Sequence, residues 1–334
     1  MKNRIFLAIF VLAFLFCFVF LIQTDAIIKY DFPYKTCTTW GSYGSGDNQL
    51  SSPYKIYLMY PHYPSTLLIS DSGNNCIKAI HFDGLNKVER WFPISGLRKP
   101  KGTVRVTSVG ALDFVLIVDS LNNRILVYDL ITHSAYGEVR GFSRPSDIDY
   151  DYTGYVYVVD TGNQCIKRQR RASLLEPFNN FIGNPGRQGS GDGQFNNPQG
   201  IAVRVRGEEG YVYVADTGNH RIQKFGLDGR FIKKWGSRGS GNGEFYNPQG
   251  IAVDKFGYVY VADTGNHRIQ KFDPEGGFIA KWGSRGSGDG QFYYPTDIEI
   301  SDNGDVYVAD SMNHRIVKFH IEIERPEPVS PPGE

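Results

Sequence analysis

The chain has 334 residues, a formal net charge of +1 and 14% aromatic residues, with 38 glycines. So balanced a charge gives no global attraction to nucleic acid or to acidic lipid. The length suits one large all-β domain.

The chain begins with an apolar run, residues 5–22, that follows Lys2 and Arg4. The run is long for a signal-peptide core and just long enough to span a bilayer. Residues 1–26 are therefore expected to be either a removed signal peptide or a retained transmembrane anchor. Both alternatives place the rest of the chain outside the cytoplasm, secreted or anchored, and a retained segment would also bind the membrane.

The rest of the chain is organised by a repeat, which is clearest between residues 189 and 294. There the sequence YVYVADTGNHRIQKF occurs twice, and Asp216, Asp263 and Asp310 fall at equal intervals. A period of this length is typical of repeat folds. A relaxed template finds six copies, each with an Asp at one position and a Pro at another: Asp71, Asp119, Asp160, Asp216, Asp263 and Asp310, with Pro53, Pro100, Pro145, Pro198, Pro248 and Pro295.

Each copy contains four short pieces that have strand character. In the fifth copy these are residues 250–253, 258–262, 267–272 and 277–282, separated by the turn after Asp263 and followed by a Gly-rich loop. Glycine and Asp at these joints favour turns. Four strands make one blade, and six blades close into a ring that leaves no long sheet edge. The predicted fold is therefore an all-β, six-bladed β-propeller of four-stranded antiparallel blades.

The motifs ADTGNHRI and PQGIAV resemble the NHL repeat, whose family fold is a six-bladed β-propeller. The resemblance covers about residues 37–323 and is stronger in blades four to six. In blades one and three, Cys76 and Cys165 replace the motif's Arg. We assign the propeller to residues 35–323 and a disordered tail, rich in Pro and Glu, to residues 324–334.

The last copy lacks a fourth strand, and the missing piece is found at the other end of the chain. Trp40 stands in a segment that matches those of Trp235 and Trp282. We predict that residues 35–40 pair antiparallel with residues 315–321 and complete blade six.

No catalytic triad or nucleotide-binding motif is found, which favours a non-enzymatic binding scaffold, expected to be monomeric and without a cofactor. Turns and Gly-rich loops share one end of the blades, so a protein or glycan partner is expected to bind there. The proposed binding residues are His220, Arg238, His267, Arg285 and His314. Three histidines on one face suggest zinc, but neighbouring blades should hold them far apart, and no metal is expected there.

Two enzyme classes with related propellers provide alternatives. Peptidylamidoglycolate lyases are understood to bind zinc after the blade-opening prolines, where this chain has no zinc ligand of the usual kind: Tyr54, Lys101, Ser146, Gln199, Gln249 and Thr296. Lactonase-like propellers hold calcium in the channel through carboxylates. Five acidic residues in or near innermost strands could form such a cation site: Asp147, Asp149, Asp254, Asp297 and Glu299.

An RNA-binding or ubiquitin-ligase-type NHL propeller is a further alternative, since residues 167–171 are basic and Arg204 and Arg206 lie near. The predicted export segment opposes it. The four cysteines of the chain also cannot supply the zinc domains of such ligases. Nucleic acid is therefore not an expected partner.

Overall fold

The computed structural model describes residues 37–59, 66–82, 88–90, 94–107, 113–151, 153–184, 186–206 and 209–323. In these ranges the chain forms β-strands joined by turns and short 3-10 turns, with no α-helix. A helix long and apolar enough to cross a membrane is accordingly not found among the described residues. The apolar run 5–22 and the tail 324–334 lie outside the described residues, so their predicted roles stay predictions.

Six four-stranded antiparallel sheets form the six blades. The chain enters with β1 (Thr38–Trp40), which belongs to the sixth blade, and then builds the blades in order. The first three comprise β2 (Pro53–Met59), β3 (Thr66–Asp71), β4 (Cys76–His81) and β5 (Val88–Arg90); β6 (Pro100–Thr107), β7 (Asp113–Asp119), β8 (Arg124–Asp129) and β9 (Ser134–Val139); and β10 (Asp147–Tyr150), β11 (Tyr155–Asp160), β12 (Cys165–Arg170) and β13 (Asn179–Gly183).

The last three blades follow the same plan, and the sixth takes its outer strand from the start of the chain. They comprise β14 (Gly200–Arg206), β15 (Glu209–Asp216), β16 (Arg221–Gly226) and β17 (Phe231–Trp235); β18 (Ile251–Val253), β19 (Val259–Asp263), β20 (Arg268–Phe272) and β21 (Phe278–Trp282); and β22 (Pro295–Ile300), β23 (Asp305–Asp310) and β24 (Arg315–His320), completed by β1.

The ring closes where the sequence predicts. β1 pairs antiparallel with β24, with Thr38 opposite Lys318 and Trp40 opposite Ile316. Trp40 is only half-buried and lies 6.0 Å from the ring of Phe82. Main-chain hydrogen bonds therefore join the two ends of the propeller, and the packing under Trp40 supports them.

The hydrophobic core lies between adjacent blades. All residues of β19 are buried, because a central strand packs against a neighbouring blade on each face. One core cluster joins Ala215 and Ile222 of the fourth blade to Val259 and Phe272 of the fifth. The innermost strands contact one another in the order β2, β6, β10, β14, β18, β22, and β22 contacts β2, so they surround a central channel.

Each strand predicted for the fifth blade begins one residue too early, since the four strands begin at Ile251, Val259, Arg268 and Phe278. For the third strand the reason is physical. The third strand of the fifth blade begins at Arg268 rather than at His267. His267 has a φ of 57° and adopts the left-handed conformation. Non-glycine residues are uncommon there, and Asn, Asp and His are enriched among those that occur. The five equivalent residues share this conformation: Asn75, Asn123, Gln164, His220 and His314.

Candidate functional site

The buried Asp of each turn anchors the Gly-rich loop that enters its own blade. In the fifth blade, the Tyr246 backbone N–H and Arg268 Nε each donate a hydrogen bond to the Asp263 carboxylate, both at 2.7 Å. The Arg268 guanidinium also donates to the carbonyl oxygens of Ser240 and Gly241 at 2.7 Å. Asp263 is fully buried, so the pair is shielded from solvent. We call this group of contacts the latch.

Burial raises the pKa of Asp263, while the hydrogen bonds from Asn266 and Tyr246 and the charge of Arg268 act in the opposite direction. The fourth and sixth blades repeat the latch. Arg221 Nε lies 2.7 Å from Asp216 in the fourth blade, and Arg315 Nε lies 2.7 Å from Asp310 in the sixth. The conspicuous Asp and Arg of the motif therefore stabilise the loops.

The first and third blades build the latch with different side chains. Cys76 stands in place of the Arg, and Lys78 Nζ donates to the carbonyl oxygen of Gly46 at 2.9 Å and lies 3.5 Å from Asp71. Residues two apart on a strand point to the same face, so a lysine there can reach the same loop. Sequence reasoning missed this compensation.

The third blade makes the same exchange. Cys165 replaces the Arg, and Lys167 Nζ lies 3.0 Å from Asp160. The signal was present in the sequence, because both departures from the motif read Cys-Ile-Lys. Cys76 and Cys165 are free thiols.

The motif's His lies at the surface and contacts the next Gly-rich loop. Its Nδ1 atom accepts the backbone N–H of the loop residue: Asn247 for His220, Tyr294 for His267 and Ser52 for His314, at 3.0 to 3.1 Å. When the ring is neutral, this hydrogen bond leaves the proton on Nε2. Burial lowers the pKa of His220 and His267, and the charges of Arg238 and Arg285 lower them further.

These histidines belong to aromatic and cationic groups at the end of the propeller that carries the turns and the Gly-rich loops. His220 stacks on Tyr246 with ring centroids 5.6 Å apart, and the Arg238 guanidinium lies 5.4 Å from the same ring. His267 lies 4.5 Å from Tyr294.

The next two groups continue along the rim. Arg285 lies 5.1 Å from the ring of Tyr293. His314 lies 4.8 Å from Tyr43, which is 72% exposed. We call the surface formed by these residues and Met312 the turn face: Tyr43, His220, Arg238, Tyr246, His267, Arg285, Tyr293, Tyr294, Met312 and His314. The structure thus places all five predicted binding residues on one face, as three separate groups.

At its turn-face end, the central channel is crossed by side chains that follow the blade-opening prolines. Tyr54 OH donates to Gln199 Oε1 at 2.7 Å, and these residues come from opposite blades. Lys101 Nζ donates to the same oxygen at 3.2 Å and lies 4.3 Å from the Tyr54 ring. Burial raises the pKa of Tyr54 and lowers that of Lys101 to about 8.

Below this crossing, a lysine holds two of the predicted cation-site acids. Lys55 Nζ lies 2.7 Å from Asp147 Oδ2 and 2.7 Å from Asp297 Oδ1. Both carboxylates fill space beside a glycine of the preceding blade, since a Cβ at Gly102 would lie 2.9 Å from Asp147 Oδ1 and one at Gly250 would lie 2.6 Å from Asp297 Oδ1. The ammonium group stands where a bound cation would neutralise these two acids.

Two further predicted acids lie one step deeper. Asp149 accepts the Val203 backbone N–H at 2.6 Å, and Glu299 accepts that of Leu58 at 3.4 Å, each from the next blade of the ring. Burial raises the pKa of Asp149 to about 7. Burial and the nearby Asp297 and Asp149 raise the pKa of Glu299. These are the two channel acids without an ion pair among the described residues.

The structure places Asp254, the fifth predicted acid, elsewhere. It closes the turn between β18 and β19, where it accepts the Tyr258 backbone N–H and the Tyr260 hydroxyl, both at 3.0 Å. Across the part of the chain that the structure describes, no three His, Cys, Asp or Glu residues are arranged to hold a metal ion.

The basic cluster of the third blade is partly engaged within the propeller. The Arg168 guanidinium lies between the rings of Tyr155 and Phe181, at 4.5 and 3.9 Å from their centroids. Its Nη1 atom also donates to the carbonyl oxygen of Leu227 at 2.6 Å. Arg168 and Lys167, which joins the latch, therefore have structural roles in the blades.

The fold is a six-bladed β-propeller, and comparison with known proteins finds the repeat that its turn motif resembles. The family model described as "NHL repeat" matches residues 195–225, 245–272 and 292–319. These stretches fall in the fourth, fifth and sixth copies, where the sequence motif is clearest. The chain therefore carries NHL repeats on a six-bladed propeller.

A curated relative matches only locally. Protein lin-41 of Caenorhabditis elegans is 51% identical over 49 residues, which cover 15% of this chain and 4% of the relative. The match spans so small a part of that protein that the similarity is confined to the repeat.

Several solved structures share the fold at low identity. A Bacteroides thetaiotaomicron protein of unknown function has a TM-score of 0.61 at 19% identity, with 86% of this chain and 77% of that chain covered. Virginiamycin B lyase from Staphylococcus aureus has a TM-score of 0.56 at 13% identity, with 86% of this chain and 99% of that chain covered. A Xanthomonas campestris gluconolactonase has a TM-score of 0.56 at 14% identity, with 80% of this chain and 86% of that chain covered. At these identities the similarity shows the fold alone.

Proposed function

We propose that this protein is a non-enzymatic binding module that recognises a protein partner through its turn face. The observation that carries the proposal is the row of three surface groups on consecutive blades, each combining a half-buried histidine with tyrosine, two of them with arginine. None of these side chains belongs to the latches, although each histidine accepts one backbone N–H from the next loop.

The turn face has the composition of a protein interface. Tyrosine, arginine and methionine are enriched at such interfaces, and tyrosine and arginine dominate their hot spots. Tyr43, Tyr294 and Met312 expose 72%, 42% and 46% of their surface. Stacking of Arg238 on Tyr246 pre-orders both side chains, which lowers the entropy lost on binding.

A glycan could also stack on exposed tyrosines, and the experiment must therefore distinguish a glycan from a protein partner.

We further propose that binding takes place outside the cytoplasm, with the propeller secreted or anchored. The apolar run 5–22 with its basic flank supports this location. A purification of the full chain from membrane and secreted fractions would test it.

The proposed binding is tested by crosslinked capture with the propeller as bait, followed by an affinity measurement with the captured protein. A variant with His267→Ala and Arg285→Ala should lose capture. A matched control with Lys255→Ala and Asp302→Ala alters the turns at the opposite end and should keep it. Equal capture by both variants, or binding to a glycan array in place of a protein, would contradict the proposal.

A further inference from the structure

The central channel contains a cavity of about 160 Å³. The proposed binding by the turn face does not use this cavity. The cavity lies below the Tyr54–Gln199 hydrogen bond that crosses the channel at the turn-face end. Residues from all six innermost strands line it. The polar and charged ones are Lys55, Tyr57, Thr103, Asp147, Asp149, Tyr150, Arg204, Asp297 and Glu299.

The charges of this lining are unequal. Lys55 and Arg204 are the cations, against the four carboxylates of Asp147, Asp149, Asp297 and Glu299. Lys55 is fixed between Asp147 and Asp297 at 2.7 Å from each. Asp149 and Glu299 therefore represent an excess of negative charge whenever both ionise, and a buried carboxylate without a partner is costly.

The geometry of the two remaining acids suits a ligand in the cavity. They come from the third and sixth blades, which face each other across the ring. Backbone N–H groups of Val203, Tyr150 and Leu58 satisfy part of their hydrogen-bonding capacity and fix their positions. Each keeps part of its surface open, since both line the cavity.

A second, independent feature is an unsatisfied hydroxyl. Thr103 lines the same cavity and is only 4% exposed, yet its Oγ1 atom has no hydrogen-bond partner within the described residues. Buried polar atoms in native proteins normally have partners, so such an exception calls for an explanation. A ligand atom in the cavity would supply the missing partner.

The wall formed by the fourth and fifth blades leaves space for a ligand, because its side chains are small. Gly200, Ala202, Gly250 and Ala252 occupy channel-facing positions of the fourth and fifth blades, and Ala202 and Ala252 line the cavity. A cavity of about this volume holds a molecule of about six non-hydrogen atoms, as engineered cavities that bind benzene show.

We propose that the channel cavity binds a short aliphatic ammonium compound, with Asp149 and Glu299 as its counterions and Thr103 as a hydrogen-bond partner. An organic cation is favoured over a metal ion, because no metal-type grouping of ligands exists among the described residues. Binding of a monoammonium ion would leave three ionised carboxylates against Lys55, Arg204 and the ligand, which balances the charges.

Release of a proton on ligand binding would distinguish binding in the cavity from attraction of the cation to the protein surface. Burial raises the pKa of Asp149 to about 7, so this acid is partly protonated at neutral pH, and the raised pKa of Glu299 favours its protonated form when the cavity holds no cation. The other groups facing them are Lys55, Arg204, Asp147, Asp297, Tyr57 and Tyr150. Entry of an ammonium ion should ionise one of the two acids and release about one proton near pH 7.

The test is calorimetric titration of the full-length protein with n-butylammonium and, separately, 1,4-diammoniobutane, in two buffers of different ionisation enthalpy. We expect saturable binding of one equivalent with proton release, and the comparison of the two probes shows whether one or both acids are used. A variant with Asp149→Asn and Glu299→Gln should bind roughly tenfold more weakly or worse. Asp192→Asn with Asp289→Asn, in exposed loops, is the matched control.

Two further measurements separate a loss of binding from a failure to fold. Thr103→Val should weaken binding by a smaller factor, and thermal unfolding of every variant shows whether it folds. The wild-type titration does not depend on any variant. Absence of saturation with both amines, equal binding by the channel variant and the control, or stoichiometric calcium binding in place of the amines would overturn the proposal.

Discussion

Blades one and three solve the same structural problem as blades four to six with different side chains, whereas blade two keeps the arginine type through Arg124 and Asp119. In the fourth to sixth blades an arginine, such as Arg268, joins the buried Asp to the loop. In the first and third blades a lysine two residues further along the strand, such as Lys78, replaces it beside a cysteine. The comparison shows that the repeat preserves the position of a positive charge more faithfully than the residue that carries it.

The two halves also differ at the surface. The left-handed turn position carries histidine in the last three blades and Asn or Gln in the first three. This position lies at the surface and differs consistently between the two halves. Buried latch residues serve the fold in every blade, whereas the exposed groups of the turn face are concentrated on blades four to six and on the closing segment with Tyr43.

The largest effect is expected from breaking one of the arginine latches. Arg268→Ala leaves Asp263 buried without its cation and removes three donors to loop carbonyls. The free energy of unfolding should fall by about 3 to 5 kcal/mol. Urea denaturation measures it, and a loss below about 1 kcal/mol would show that the latch contributes little.

A similar loss is expected from Lys78→Met in the lysine latch of the first blade, about 2 to 4 kcal/mol, because Lys78 is 2% exposed and pairs with Asp71. The double variant Cys76→Arg with Lys78→Gln converts this latch into the arginine type and should recover most of the stability. Failure of the double variant to exceed the single one in urea denaturation would contradict the equivalence of the two latches.

Closure of the ring should depend on Trp40, and its removal should cost less stability than the loss of a latch. Trp40→Ala removes the contacts with Phe82 and with the core beside β24, and should lower stability by about 2 to 3 kcal/mol because the indole is only half-buried. Thermal unfolding monitors this change. Tyr136→Ala, which alters a residue that is 52% exposed, is a control expected to be milder.

In the channel one acidic position recurs in both halves, and the dependence of stability on pH should reveal it. Asp149 and Glu299 occupy matching positions of the third and sixth blades. The pKa of Asp149 rises in the folded protein from the usual 3.8 to about 7, so the native state holds a proton that the unfolded chain releases. The acid therefore makes stability fall as pH rises across this interval.

Asp149→Asn should flatten the decrease in stability between about pH 4 and about pH 7 and should stabilise the protein at higher pH relative to wild type. Denaturation midpoints across this range provide the measurement, with Asp192→Asn as an exposed control. If the stability of the wild type rose over this interval and Asp149→Asn removed the rise, the result would contradict a raised pKa at Asp149.

Sequence reasoning recovered the fold almost completely, because turn residues and apolar strands recur with the period of the blades and Trp40 identifies the missing strand. It also grouped five residues of one face, of which Arg238 and Arg285 are exposed and the three histidines half-buried. It did not foresee Lys78 and Lys167, although each follows a Cys that replaces the motif's Arg, and it did not foresee Lys55, because its partner Asp297 is 242 residues away. Asp254 was grouped with the channel acids, although local hydrogen bonds hold it in a turn.

The most direct test of the account separates binding from stability on neighbouring residues of the same motif. With a captured partner, affinity and urea denaturation should be measured for His267→Asn with Arg285→Ala and, separately, for Arg268→Lys. Asn tolerates the left-handed backbone and accepts the loop N–H at the equivalent positions Asn75 and Asn123. The account predicts that the first variant keeps its stability within about 0.5 kcal/mol and loses affinity at least about tenfold. Arg268→Lys should lose stability and keep its affinity while folded. Loss of affinity and stability together in both variants would contradict the division between buried latches and an exposed binding face.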